Sequence, residues 1–140
     1  MKCEICNKRY TTRNVCDECI NRLKTQETIA ADGTYLHPNL YQSLAQRTAA
    51  TVKSEDKILN GALGLAGESG EVADHVKKAL FQSHELDTGE LIEELGDILW
   101  YCAELAEGLG VGLETVMELN VEKLRGRYPD GFDGERSVNR

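Results

Sequence analysis

No stretch of this 140-residue chain approaches the roughly 20 consecutive apolar residues that a membrane span requires. The opening MKCEICNKRY lacks the apolar core of a signal peptide. The expected location is therefore the cytoplasm, of a bacterium or of a phage-infected cell. No period-two alternation marks a strand beyond the first two dozen residues, and no segment repeats at a fixed period. Positive charge is scarce over most of the chain. Residues 25–140 hold ten basic and twenty-one acidic residues, whereas residues 1–24 hold six basic and three acidic. The acidic part is a poor binder of nucleic acid, and it can hold an anion only through metal ions or a few placed lysines and arginines.

What is present begins with cysteine. Four of the five cysteines fall in the first 19 residues, as Cys3-x2-Cys6 and Cys16-x2-Cys19. Two CxxC knuckles supply four thiolates for tetrahedral zinc. The alternative, a pair of disulfides, is disfavoured by a cytosolic setting. So short a segment cannot bury a core, and bound metal would supply its folding energy. Lys2, Lys8, Arg9, Arg13, Arg22 and Lys24 give it a basic surface for nucleic acid or a protein partner; a plain structural cap is the other reading. Cys102 stands apart among leucines and reads as a buried core thiol.

The rest reads as all-α. A zinc-binding segment (1–25) and a linker (26–38) carrying Asp-Gly and His-Pro turns precede a helical domain (39–128) and a polar tail (129–140). A helix can run on from the second knuckle over 17–29. Four further helices are expected at about 39–52, 55–81, 89–109 and 113–127. Ser54 and Thr88 are candidate N-caps, Gly108 and Gly110 end the third helix, and Tyr128-Pro129 stops the fourth. Gly61, Gly64, Gly67 and Gly70 interrupt the second helix at every third residue, although each costs roughly 0.5–1 kcal/mol there.

The acids of the second and third helices follow one pattern. Glu68 sits at the edge of an apolar arc on the second helix, and Glu71 lies about 60° outside it. Glu94 and Asp97 repeat the arrangement on the third. Antiparallel packing would bring the two shoulders together. Four facing carboxylates would repel and raise one another's pKa values, and a hard divalent cation, Mg2+ or Mn2+, relieves that. Lys78, and the i, i+3, i+7 set Asn120, Lys123 and Arg127 on the fourth helix, suit an anionic ligand that bridges metal and cation. Tyr101 falls between Glu94 and Asp97 in azimuth. Glu90, Glu93, Glu104 and Glu107 lie on the polar arc and read as solvated; His75 reads as a surface histidine. Trp100 points away from the acids, toward a core or a subunit interface. Gly61 and Gly64 lie near the acid shoulder, where a neighbour or ligand can approach. Gly67 and Gly70 lie elsewhere, against a partner subunit.

The segments LNGALGLAGESGEVADHVKK, ELIEELGDILWYCAELAEGLG and NVEKLRGRYPDGF closely resemble the MazG-like nucleotide pyrophosphohydrolases over residues 40–136. The family pattern is EExxE followed by ExxD on the next helix. Glu68, Glu71, Glu94 and Asp97 match it, and Gly67 replaces the leading glutamate. The resemblance implies an all-α bundle, dimers or dimers of dimers, and Mg2+-dependent hydrolysis of nucleoside triphosphates to the monophosphate and pyrophosphate. On that reading the four acids hold the ions, Lys78, Lys123 and Arg127 meet the triphosphate, and Tyr101 and Asn120 contact sugar or base. The CxxC pairs lie outside the family pattern. Two alternatives are a catalytically silent zinc adapter that dimerises through its helices, and a protein whose basic segment binds DNA while the helices hydrolyse nucleotides.

Overall fold

A computed structural model describes residues 35–50 and 53–138. The expected zinc ligands Cys3, Cys6, Cys16 and Cys19, and the helix expected over 17–29, lie outside the described residues. Among the described residues five α-helices follow one another: α1 (Pro38–Ala45), continued by a 3-10 turn (Gln46–Thr48), α2 (Ser54–Phe81), α3 (Thr88–Gly108), α4 (Leu113–Arg127) and a short α5 (Gly134–Val138). No helix among the described residues is long and apolar enough to cross a membrane. The sequence pattern anticipates α2, α3 and α4 to within a residue or so at each end. The first helix tightens into its 3-10 turn sooner than expected, and the tail contains a helical turn.

The caps differ from the expected ones. Asp87 rather than Thr88 caps α3: its carboxylate accepts from the Gly89 and Glu90 amides at 2.8 and 3.4 Å. Lys53 occupies the N-cap of α2 with no side-chain bond, so Ser54 is already helical. Gly112 caps α4 and has no side chain to offer. Instead α1 reaches across. Gln42 Oε1 accepts from the Leu113 amide at 2.6 Å, and Asn39 Oδ1 accepts from the Glu114 amide at 3.0 Å. Those orphan amides of a helix N-terminus are thus satisfied from more than seventy residues upstream. Gln42 Nε2 also donates to Glu107 at 2.9 Å and to the Val111 carbonyl at 3.1 Å. A Cβ at Gly112 would lie 2.7 Å from Asn39 Oδ1, so a side chain there would push the Asn39 cap aside.

The main contact of the fold is the antiparallel hairpin of α2 and α3. Three glycines make it close. A Cβ on Gly61 would lie 2.8–2.9 Å from the Leu105 Cβ, Cα and N; one on Gly108 would meet Ile58 N at 2.8 Å; one on Gly64 would overlap the Tyr101 ring. The lost helix propensity is therefore exchanged for backbone proximity at Gly61 and Gly108 and for the seat of the Tyr101 ring at Gly64, as the sequence suggests for Gly61 and Gly64. Gly67 and Gly70 face open space in the single chain.

One expectation about burial is corrected. Glu104 is not solvated. It is fully buried, 3.6 Å from Lys57 Nζ, and accepts from Gln46 Nε2 at 3.0 Å, while Lys57 also bonds Gln46 Oε1. Glu107, likewise expected in solvent, is exposed, and it accepts from buried Gln42. The correction has one cause: α1 and its 3-10 turn cover this arc of α3, and Gln46 satisfies a carboxylate that burial would otherwise strand. Trp100 fits the same contact, donating from Nε1 to Thr48 Oγ1 at 2.9 Å and to the Ala45 carbonyl at 3.2 Å. Cys102 is half-buried, and burial pushes its thiol pKa up.

The apolar arcs of α2 and α3 are the second surprise. They do not close on each other. Val76, Leu80, Ile92, Leu95 and Leu99 remain exposed, Leu80 at 70% and Leu95 at 54%, and the buried apolar residues are Ala45, Ala103, Ala106 and Leu113. The hairpin is one layer whose apolar face has no cover within the described chain. The arm α4 is similar: from Glu114 to Arg127 every residue is exposed.

Candidate active site

The close crossing of α2 and α3 determines what happens beyond Tyr101. One turn further along, Glu68 of α2 meets Glu94 and Asp97 of α3. Carboxylate oxygens of these three residues all lie within 4.8 Å of one another. Glu68 and Glu94 are partly covered; Asp97 is exposed. The pKa of Glu94 is raised, chiefly by burial, then by the negative charge of Glu68 and a hydrogen bond with it, with Asp97 adding to the same effect; His75 acts in the opposite sense. Three carboxylates in one groove with their repulsion unrelieved form a donor set of the kind that hard divalent cations take. The chain's residues therefore fit Mg2+ or Mn2+.

The fourth expected acid, Glu71, is exposed and outside this three-residue cluster. Lys78 turns to Asp74 at 2.6 Å, and Lys77 also pairs with Asp74, whose carboxyl is held down to about 2, first by the hydrogen bond from Lys77 and then by that from Lys78. The pKa of Lys78 is raised by the same contact. Tyr101 packs its ring on Gly64 and stands edge-to-face with Trp100 at 4.9 Å, at the near end of the acid groove. Asn120, Lys123 and Arg127 lie on the exposed arm α4, and the structure does not bring them onto the acids within one chain.

Two residues near the acids carry more than their sequence positions suggest. His75, read as a surface histidine, stands between Glu90 and Glu94, at 3.2 and 3.7 Å. Its signal was available: it lies one turn beyond Glu71 on the same shoulder, and Glu90 and Glu94 are i and i+4 on the facing helix. Tyr41 of α1 has its hydroxyl pKa raised by burial and by the charges of Asp97 and Cys102. No local pattern in α1 marks it.

An antiparallel helical hairpin held by glycine contacts, with clustered acids from both helices, defines an all-α unit with a carboxylate-lined groove. Comparison agrees: residues 58–132 match the MazG nucleotide pyrophosphohydrolase domain, and the chain belongs to that family. It is also 38% identical over 105 residues to the Gene 37 protein of Mycobacterium phage L5, covering 69% of this chain and 92% of that protein. No solved structure matches it.

Proposed function

We propose that the chain hydrolyses a nucleoside triphosphate, in the ribo or deoxy series, to the monophosphate and pyrophosphate with Mg2+ or Mn2+ as cofactor. The observation that supports this most directly is the convergence of Glu68, Glu94 and Asp97 across the α2–α3 groove, within a domain of a nucleotide pyrophosphohydrolase family. In this reading the three carboxylates hold the cation, and Glu71 extends the donor set along α2. The bound cation would neutralise phosphoryl charge and lower the pKa of a coordinated water. The chain's own contribution is to fix the acids, shield one side of the groove with Tyr101, and offer cations to the phosphates. Lys78 can leave Asp74 for a phosphate because their pairing is open to solvent, with side chains 41% and 30% exposed.

The remaining ligands for the substrate, Asn120, Lys123 and Arg127, require a second copy. Within one chain they do not reach the acids, and the apolar hairpin face and arm lack cover. A homodimer, or a dimer of dimers, would bury those faces and carry the arm of one subunit to the groove of the other. Such an obligate contact typically buries about 2,000 Å2 or more. The CxxC pairs we assign to one structural zinc per chain, with the basic residues around them free for a nucleic-acid or protein contact. Metal analysis should return one zinc, and reduction-dependent mass shifts would refute it.

A panel of deoxy- and ribonucleoside triphosphates, with phosphate and pyrophosphate separated by ion exchange, tests the activity. Pyrophosphate and monophosphate should appear in equal amounts, and only with divalent cation present. Glu68→Gln and Asp97→Asn should abolish turnover while far-UV circular dichroism stays unchanged. Wild-type rates in both variants would remove the site. Full activity in Glu71→Gln alone would remove Glu71 and leave the other three in place.

A further inference from the structure

We infer that His75 is a positioning residue: braced by Glu90, its imidazole fixes the Glu94 carboxylate in the orientation from which Glu68, Glu94 and Asp97 share one divalent cation. The inference rests on the metal reading above. Its basis is a contact that spans both helices. His75 Nδ1 lies 3.2 Å from Glu90 Oε2, and Nε2 lies 3.7 Å from Glu94 Oε1. The ring is about three-quarters covered, at 24% exposure, and Glu94 retains 21%. A single rigid ring on α2 thus touches two carboxylates one turn apart on α3.

Glu94 needs such support. A glutamate has three side-chain torsions, and an unbraced one loses that freedom when it binds a metal. The charges of Glu68 and Asp97 repel it, and its hydrogen bond with Glu68 needs a shared proton that a bound cation would displace. The nearest lysines of α2 do not hold it either, because Lys77 and Lys78 both turn to Asp74. His75 is therefore the basic side chain in contact with Glu94 among the described residues. The arrangement follows a general rule of metal centres, in which groups behind the ligands orient them and their loss costs affinity. Glu90 completes it: with one ring nitrogen held, the ring cannot flip or swing away from Glu94.

The competing explanation is an ordinary ion pair that ties α2 to α3. That role predicts loss of stability with metal affinity unchanged. The two are separated by titrating the full chain with Mn2+ and counting free ion by electron paramagnetic resonance. The parent should bind, and Glu94→Gln should not. His75→Ala should weaken binding by about tenfold, the lower end of the effect of removing such a support. His75→Gln keeps an amide N–H near the Nε2 position and should recover most of the affinity. Glu90→Gln should weaken binding less than His75→Ala, and the double variant should be no worse than His75→Ala, because both changes act through one contact. Affinity in His75→Ala within about twofold of the parent, with Glu94→Gln still non-binding, would overturn the inference and spare the metal site. Additive losses in the double variant would also overturn it. So would 14N coupling in the bound Mn2+ spectrum that disappears in His75→Ala, which would make His75 a ligand. A parent that fails to bind, or a Glu94→Gln variant that binds equally, would overturn both this inference and the metal reading beneath it.

Discussion

Replacing Gly61 by alanine sets two effects against each other, and the structure decides between them. A helical glycine exchanged for alanine gains about 0.5–1 kcal/mol from reduced backbone entropy. At position 61 the new methyl would sit 2.8 Å from Leu105 Cβ and 2.9 Å from its Cα and N, where ordinary contact begins at 3.4 Å. The obstacle is the backbone of α3, so no rotamer change relieves it. The helices must part by roughly half an ångström, a small-to-large change that typically costs about 1–3 kcal/mol. They would also loosen the matching contacts at Gly64 and Gly108 and widen the gap across the acids. The net expectation is a loss of about 1–2 kcal/mol, or roughly 4–15 °C in melting temperature for a unit of this size. Thermal denaturation followed by circular dichroism reads it directly. Gly67→Ala is the control: nothing lies within 4 Å of its Cβ, so in the single chain its helix-propensity gain is unopposed. If a second subunit closes over Gly67, Gly67→Leu should lower the mass seen by light scattering. A Gly61→Ala protein as stable as the parent would show that the glycine contact does not set the helix spacing.

Three further outcomes are expected. Because the folded-state pKa of Glu94 is raised, its ionisation costs stability as the pH rises through that value, and the cost is absent below the ordinary glutamate value of 4.5. Glu94→Gln should therefore melt higher than the parent at neutral pH without divalent cation and match it in acid, while added Mg2+ should favour the parent; an unchanged difference across pH would refute the shift. Gln42→Ala leaves the Leu113 amide and Val111 carbonyl without their partner, at about 1–3 kcal/mol, and a melting temperature within about 2 °C of the parent would disprove the remote cap. Light scattering should give at least twice the 15.5 kDa chain mass. Leu99→Lys, on the uncovered face, should reduce that mass, and a parent that is monomeric at micromolar concentration would leave the arm and the face without their proposed cover.

Much of this architecture is legible in the sequence. The 3.6-residue period locates α2, α3 and α4, and the repeated acid shoulder brings Glu68, Glu71, Glu94 and Asp97 forward as a group, of which the structure clusters all but Glu71. What the period cannot tell is which element covers which arc. It marks Leu80, Leu95 and Leu99 as apolar, yet their own hairpin does not bury them. It marks Glu104 as polar, yet α1 buries it, because Gln46 and Lys57 satisfy it from positions no local pattern connects. The α4 cap was hidden for the same reason: sequence reading seeks a capping residue beside the helix it caps, and Gly112 is silent. Lys78 shows the limit in the opposite direction. It stands two turns after Glu71 in α2, but a carboxylate four residues away, Asp74, competes for it.

The hydrogen bonds from Asn39 and Gln42 to the start of α4 have a consequence for where this domain begins. Similarity to the family starts at residue 58, inside α2, and a fragment cut to that border would look complete by homology. It would lack the only two side chains described here that anchor the first turn of α4, together with the glutamine layer over Glu104. Left without them, α4 would have a bare N-terminus, and Glu104 would lose both its partners, Gln46 and Lys57, and the cover that buries it. The border of inherited sequence and the border of mechanical integrity therefore differ by some twenty residues. The short helix ahead of the recognisable domain acts as its keystone.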